Sequence, residues 1–108
     1  RHIVDVITET QGENILLLDI SSITVIADYF VIVTATSDRQ KRALVSEVPQ
    51  STREHLNVRP LHVEGGSDSG WNLLDYGSVV VHIFTNEARE YYNLEGLWHA
   101  GKVVVNVL

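Results

Sequence analysis

The sequence predicts an α/β (α+β) domain, a mixed β-sheet flanked by helices. Two observations lead there. Apolar runs of strand length alternate with segments of helical spacing. One adjacent pair of runs, on either side of Tyr76-Gly77, is joined tightly enough for a hairpin, so the sheet holds antiparallel pairing as well as crossovers. The composition agrees: 44% hydrophobic and 20% charged residues is the balance of a chain with enough apolar surface for a core.

The elements follow in order. His2 to Thr10 carries Ile3, Val4, Val6 and Ile7 at helical spacing, and Gly12 supplies a stop. Asn14 to Ile20 is a continuous apolar run, the mark of a strand buried on both faces. Ser21 to Thr24 is a loop, and Asp28 to Thr34 is a second strand rich in Val, Tyr and Phe. Thr36 or Ser37 caps a long helix whose apolar positions are Ala43, Leu44, Val48 and Leu56. Pro49 lies inside it, and a kink or break is expected near Val48, with Ser51 or Thr52 restarting the helix.

Val58 to Val63 is a third strand, and Glu64 to Gly70 is a loop of turn residues. Trp71 to Asp75 and Ser78 to Phe84 form the hairpin. Thr85 or Asn86 caps a helix through Glu87 to Tyr92, Leu94 to Trp98 makes another helical turn, and Lys102 to Leu108 has strand character after Gly101.

The 108 residues make one domain, 1–108, and because the chain opens on Arg1 without Met its N-terminal end is expected to be truncated. No apolar run approaches the roughly 20 residues that span a bilayer. The absence of cysteine excludes disulfides, thiolate zinc sites and cysteine nucleophiles. The formal charge of −6, with basic residues scattered apart from Arg39, Lys41 and Arg42, disfavours direct nucleic-acid contact and suits a basic protein partner.

Six of the eight aromatic residues fall between Gly70 and Trp98: Trp71, Tyr76, Phe84, Tyr91, Tyr92 and Trp98. Aromatics anchor protein interfaces, and they also fill cores. Strand alternation puts Trp71, Leu73 and Asp75 on one face and Ser78, Val80, His82 and Phe84 on one face of the next strand. Both faces of the hairpin are largely apolar, so each needs cover from helices or from a partner, and period alone does not say which.

Three blocks make the chain recognisable: ADYFVIVTATSDRQ from Ala27 to Gln40, EGGSDSGWNLLDYGSVVVHIF from Glu64 to Phe84, and REYYNLEGLW from Arg89 to Trp98. In order and spacing they resemble the ribosomal silencing factor (Iojap) family. Three positions depart from the family pattern: Ala35 stands in place of Gly, Ser78 in place of Asp, and Pro49 lies in a helix the family keeps continuous.

The resemblance implies a nucleotidyltransferase-like fold without catalytic activity. It implies a translation regulator that binds ribosomal large-subunit protein fourteen where the small subunit docks, blocks subunit joining and lowers translation when nutrients are scarce. The expected location is the cytoplasm, with relatives in organelles. A domain that keeps an apolar face for a partner covers it when alone, so a homodimer is expected in isolation.

The expected contact residues are Trp71, Leu73, Asp75, Tyr76, His82, Arg89, Tyr91, Tyr92 and Trp98. Leu94 and Leu97 are expected to pack on the sheet, and Arg89 either pairs with Asp75 or meets the partner. The competing reading is a catalytically dead nucleotidyltransferase-like domain that still binds a nucleotide. Gly66-Ser67 imitates the phosphate-holding turn of those enzymes, but Asp75-Tyr76-Gly77 supplies one carboxylate where two metal ions need a pair. His62, Glu64 and His82 are too sparse a set for a metal site, and a hydrogen-bonded, half-buried His82 is the simpler reading. No catalytic residue, cofactor or metal is expected.

Overall fold

The computed structural model describes residues 2–66 and 68–107, and at Leu97 the backbone alone. Ten elements follow one another: α1 (His2–Glu9), β1 (Glu13–Asp19), β2 (Tyr29–Ala35), α2 (Asp38–Leu56), β3 (His62–Glu64), β4 (Trp71–Asp75), β5 (Val79–Thr85), α3 (Asn86–Tyr92), α4 (Leu94–Leu97) and β6 (Lys102–Val107). The six strands form one sheet in the order β3-β4-β5-β2-β1-β6. Only β2 and β5 run parallel, with Ile32 beside His82, and every other pair is antiparallel. The mixed sheet with packed helices is the expected class.

Local chemistry accounts for the boundaries. Ser37 caps α2, its Oγ accepting from the Gln40 N–H at 3.1 Å, and Thr85 caps α3 by accepting from Ala88 N–H at 3.2 Å. Gly12 ends the α1 turn where a Cβ would sit 2.6 Å from methyls of both Ile7 and Val33. The hairpin closes on Tyr76 and Gly77: Tyr76 N–H donates to Val79 O at 2.8 Å, and Gly77 takes a φ of 87°, which a side chain would strain.

Two expectations need correction. The helix runs from Asp38 to Leu56 without a break at Pro49. The proline removes a single rung, while Leu44 and Val48 before it and Thr52 after it are all buried against the sheet and hold the helix in line. Leu56, expected on that face, is instead half exposed, and the buried stripe is Lys41, Leu44, Val48 and Thr52. The third strand is also shorter than Val58 to Val63. Asn57 turns the chain in a left-handed conformation with a φ of 54°, Pro60 has no N–H to donate, and pairing with β4 is confined to His62–Glu64.

The sheet has two unequal faces. On one, α1 and α2 cover a core of Ile7, Ile15, Val31, Val33, Leu44, Val48, Leu74, Val81 and Ile83. On the other, Leu18, Ile20, Phe30, Ile32, Val80, Phe84 and Leu94 form a second core, with Leu16, Trp71, Leu73, Ala88 and Trp98 only partly buried around it. Among the described residues its helical cover is α3 and α4, of seven and four residues.

Candidate functional site

The second face is where the side chains singled out by the sequence gather. Register places Trp71 beside Phe84 and Leu73 beside His82, and β2 continues the same face through Ile32 and Phe30. Trp71 stacks on Phe84 with ring centroids 5.0 Å apart and touches Tyr92 at 4.8 Å. Trp98 meets Phe30 edge-on at 5.3 Å, and Phe30 in turn meets His82 at 4.6 Å. Tyr91 stands against Tyr92 at 5.0 Å and is 82% exposed. The result is an aromatic surface with a buried floor and a rim of Trp71, Leu73, Tyr91, Tyr92 and Trp98 that reaches solvent.

His82 is the floor of this surface rather than part of its rim. It is 3% exposed, more deeply placed than the half-buried position expected of it. Its Nδ1 accepts the Trp71 indole N–H at 3.1 Å. Because indole only donates, the imidazole proton sits on Nε2. That nitrogen has no hydrogen-bond partner among the described residues. Burial pushes the imidazole down to about 4, so the ring is neutral at pH 7.

Three of the expected contact residues serve the framework. Tyr76 belongs to the opposite face, packing against the first core with its hydroxyl 3.0 Å from Thr52 Oγ1 of α2, and burial raises its phenol above the ordinary value. Asp75 braces the hairpin, its Oδ1 accepting from Gly77 N–H at 2.7 Å. Arg89 does not pair with Asp75. Its guanidinium forms a two-pronged ion pair with Glu95 at 2.8 Å, donates to Thr34 Oγ1 at 2.9 Å and also donates to the Asn14 carbonyl. It thereby ties α3 and α4 to the irregular start of β1, where Asn14 has a φ of 49°. The Arg89–Glu95 pairing was missed in the sequence, although the acid lies six residues on, across the turn between two short helices. Leu94 packs on the sheet as expected, while the Leu97 side chain lies outside the described residues.

The sequence also missed a neighbouring apolar loop. Between β1 and β2, Ile23, Val25 and Ile26 are exposed, and the loop is bounded by Ile20 and Ala27 of the second core. Three β-branched aliphatics in a short loop were the available signal.

Among the described residues the enzyme-like features do not gather into one site. Ser67 of the Gly66-Ser67 turn lies outside the described residues. His62 and Glu64 meet at 3.4 Å on the exposed edge strand, whereas His82 is buried two strands away. Among the described residues no three His, Asp or Glu side chains come together to hold a metal. A cleft of about 280 Å³ lies at the starts of α2 and α3, but Asp38 and Glu87 line it and Ser37 is occupied as a cap. Carboxylates there oppose a phosphate.

Comparisons with known proteins converge. A family model described as "Ribosomal silencing factor during starvation" matches residues 1–107. The chain is 40% identical over 90 residues to the ribosomal silencing factor RsfS of Bacillus subtilis, covering 83% of this chain and 75% of that one. It is similar to the solved structure of a Chromobacterium violaceum protein, with a TM-score of 0.84 and 31% identity over 98% of this chain and 89% of that chain. A mouse protein named for mitochondrial assembly of the ribosomal large subunit is 31% identical over 89% of this chain and 43% of its own length.

Proposed function

The chain belongs to the ribosomal silencing factor family, and on that premise we propose that it represses translation by docking its aromatic sheet face on the large ribosomal subunit. The partner in this reading is ribosomal large-subunit protein fourteen, the consequence is a block to joining of the small and large subunits, and the occasion is nutrient limitation. The protein acts by occupying a surface and not by catalysis, without cofactor or metal. Its place is the cytoplasm, with relatives such as an Arabidopsis protein named as mitochondrial and Iojap-related.

The single observation that carries the reading is the unequal cover of the sheet. Half-buried Trp71, Leu73 and Trp98 surround a packed floor, and such an arrangement provides an anchor set with its own desolvated centre. The acidic charge of −6 complements a basic ribosomal protein and raises the encounter rate. Free protein is expected to cover the same face in a homodimer that dissociates on docking.

The test is co-sedimentation with purified large subunits at moderate salt, paired with an assay of the joining of separated small and large subunits. Binding that is competed by isolated large-subunit protein fourteen, together with reduced joining, is the expected result. Protein that stays in the supernatant at micromolar concentration would end the proposal. A thermal shift with nucleotide and magnesium runs beside it, and a rise equivalent to more than about 1 kcal/mol would favour nucleotide binding instead.

A further inference from the structure

We infer that His82 is a positioning residue for the recognition face: its Nδ1 holds the Trp71 indole in the orientation that a partner meets. The inference rests on the reading that this face binds the large subunit, and adds to it the group that sets the geometry of one aromatic anchor.

The environment of Trp71 shows why such a group is needed. Its ring stacks on Phe84 at an interplanar angle of 29° and leans on Tyr92 at 50°. Apolar stacking opposes tilting of the ring, but a half-turn about the Cβ–Cγ bond leaves the indole in the same plane. The stack on this half-buried indole therefore does not by itself choose the side to which the N–H points. The N–H···N bond to His82 is directional and selects one orientation.

The other end of that bond is rigid. His82 stands in the middle of β5, with β4 on one side and β2 on the other, Leu73 and Ile32 being its register neighbours. Phe30 meets its ring edge-on at 4.6 Å and Phe84 lies parallel to it at an interplanar angle of 12°. With the ring so confined, Nδ1 is a fixed acceptor for the Trp71 indole.

Stability alone does not explain a histidine here. Its Nε2–H is buried without a partner among the described residues, a costly arrangement that a phenyl ring would avoid. What the imidazole provides and phenylalanine lacks is the acceptor for Trp71. An ordered anchor binds with less loss of side-chain freedom, so the bond contributes to affinity without touching the partner.

The experiment uses the whole chain in four forms: wild type, His82→Phe, His82→Gln and His82→Asn. In 15N-labelled free protein, the Trp71 indole N–H is expected to exchange with solvent at least tenfold more slowly in wild type than a free indole. In His82→Phe that protection is lost and the resonance shifts. Co-sedimentation with purified large subunits then shows about tenfold weaker binding for His82→Phe, with a melting temperature equal to or above that of wild type. His82→Gln or His82→Asn, which keep an amide oxygen as acceptor, recover part of both the protection and the affinity.

An indole that exchanges at the free rate in wild type overturns the inference outright, whether or not any variant folds. So does a His82→Phe protein that has lost indole protection but binds subunits as well as wild type. Failure of wild type itself to bind, with the indole protected, rejects the ribosomal reading and with it the recognition role assigned to His82, while leaving the Trp71 bond demonstrated.

Discussion

The two faces of the sheet are built from the same strands and similar side chains, yet they are finished differently. The helical face is covered by α1 and the 19-residue α2, and its central residues Leu44, Val48, Leu74 and Ile83 are completely buried, although an apolar cleft of about 400 Å³ opens beside α1 between Ile3, Val4, Leu17, Val31 and Val79. The opposite face has two short helices pinned by Arg89, and its tryptophans remain at the surface. The polar groups do not divide the faces in this way. On the helical side Tyr76 and Thr52 satisfy one another, while Asn72 Oδ1 is buried without a partner among the described residues. On the open side His82 satisfies Trp71, while its Nε2 is buried without a partner among them. What separates the faces is the length of the helices over them and the large aromatics left at the surface of one.

That contrast can be broken most forcefully at Leu44. Leu44→Ala opens a cavity under α2 and is expected to destabilise folding by about 2–5 kcal/mol. The protein that remains folded should bind large subunits normally. Urea unfolding together with co-sedimentation measures both, and an affinity loss beyond the unfolded fraction would show that the helical face takes part in docking.

Acid acts on the open face next. His82 has an ordinary value near 6.5 when unfolded and about 4 when folded. Between those values the unfolded chain binds a proton that the native chain does not. The stabilisation is therefore full above about 6.5 and is lost as pH falls towards 4, amounting to about 3 kcal/mol from this group. On the helical face the raised Tyr76 phenol does not titrate in that window. Urea melts between pH 7 and 4 should show the slope in wild type and a smaller one in His82→Phe. Equal slopes would remove His82 as the cause.

Trp71→Ala tests the surface itself. Loss of this aromatic anchor is expected to weaken subunit binding by about 2 kcal/mol or more. Because Trp71 is only partly buried, the fold should persist with a modest loss of stability. A variant that unfolds easily yet binds fully when folded would place Trp71 with the core.

The smallest effect is electrostatic. Asp75→Asn keeps the oxygen that accepts from Gly77 and removes a negative charge at the edge of the open face. Association with subunits should slow by roughly twofold at low salt and be unchanged at high salt. Stopped-flow rates across ionic strength decide it, and a salt-independent change would point to the turn and not to the charge.

Much of this was legible in local sequence. The caps at Ser37 and Thr85, the turn at Tyr76-Gly77 and the alternation along β4 depend on neighbours a few residues away. Where expectation failed, distant contacts decided. Burial of Leu44, Val48 and Thr52 carried α2 through Pro49, and Asn57 with Pro60 shortened β3 to the part that β4 could pair. Arg89 was drawn to Glu95, Thr34 and Asn14 and not to Asp75, because α3 doubles back over β2 and the start of β1.

The sequence by itself determined that Trp71, Leu73 and Asp75 share a face, since a strand has a period of two whatever covers it. It determined the family through blocks that keep their order and spacing. Only the tertiary structure decided which face stays open. Both faces are apolar in the sequence, and the outcome depends on where long α2 and short α3 and α4 settle. It also decided that His82 is a buried acceptor and Tyr76 a strut to α2, because those roles come from residues 11 and 24 positions away, brought near only when the sheet assembles.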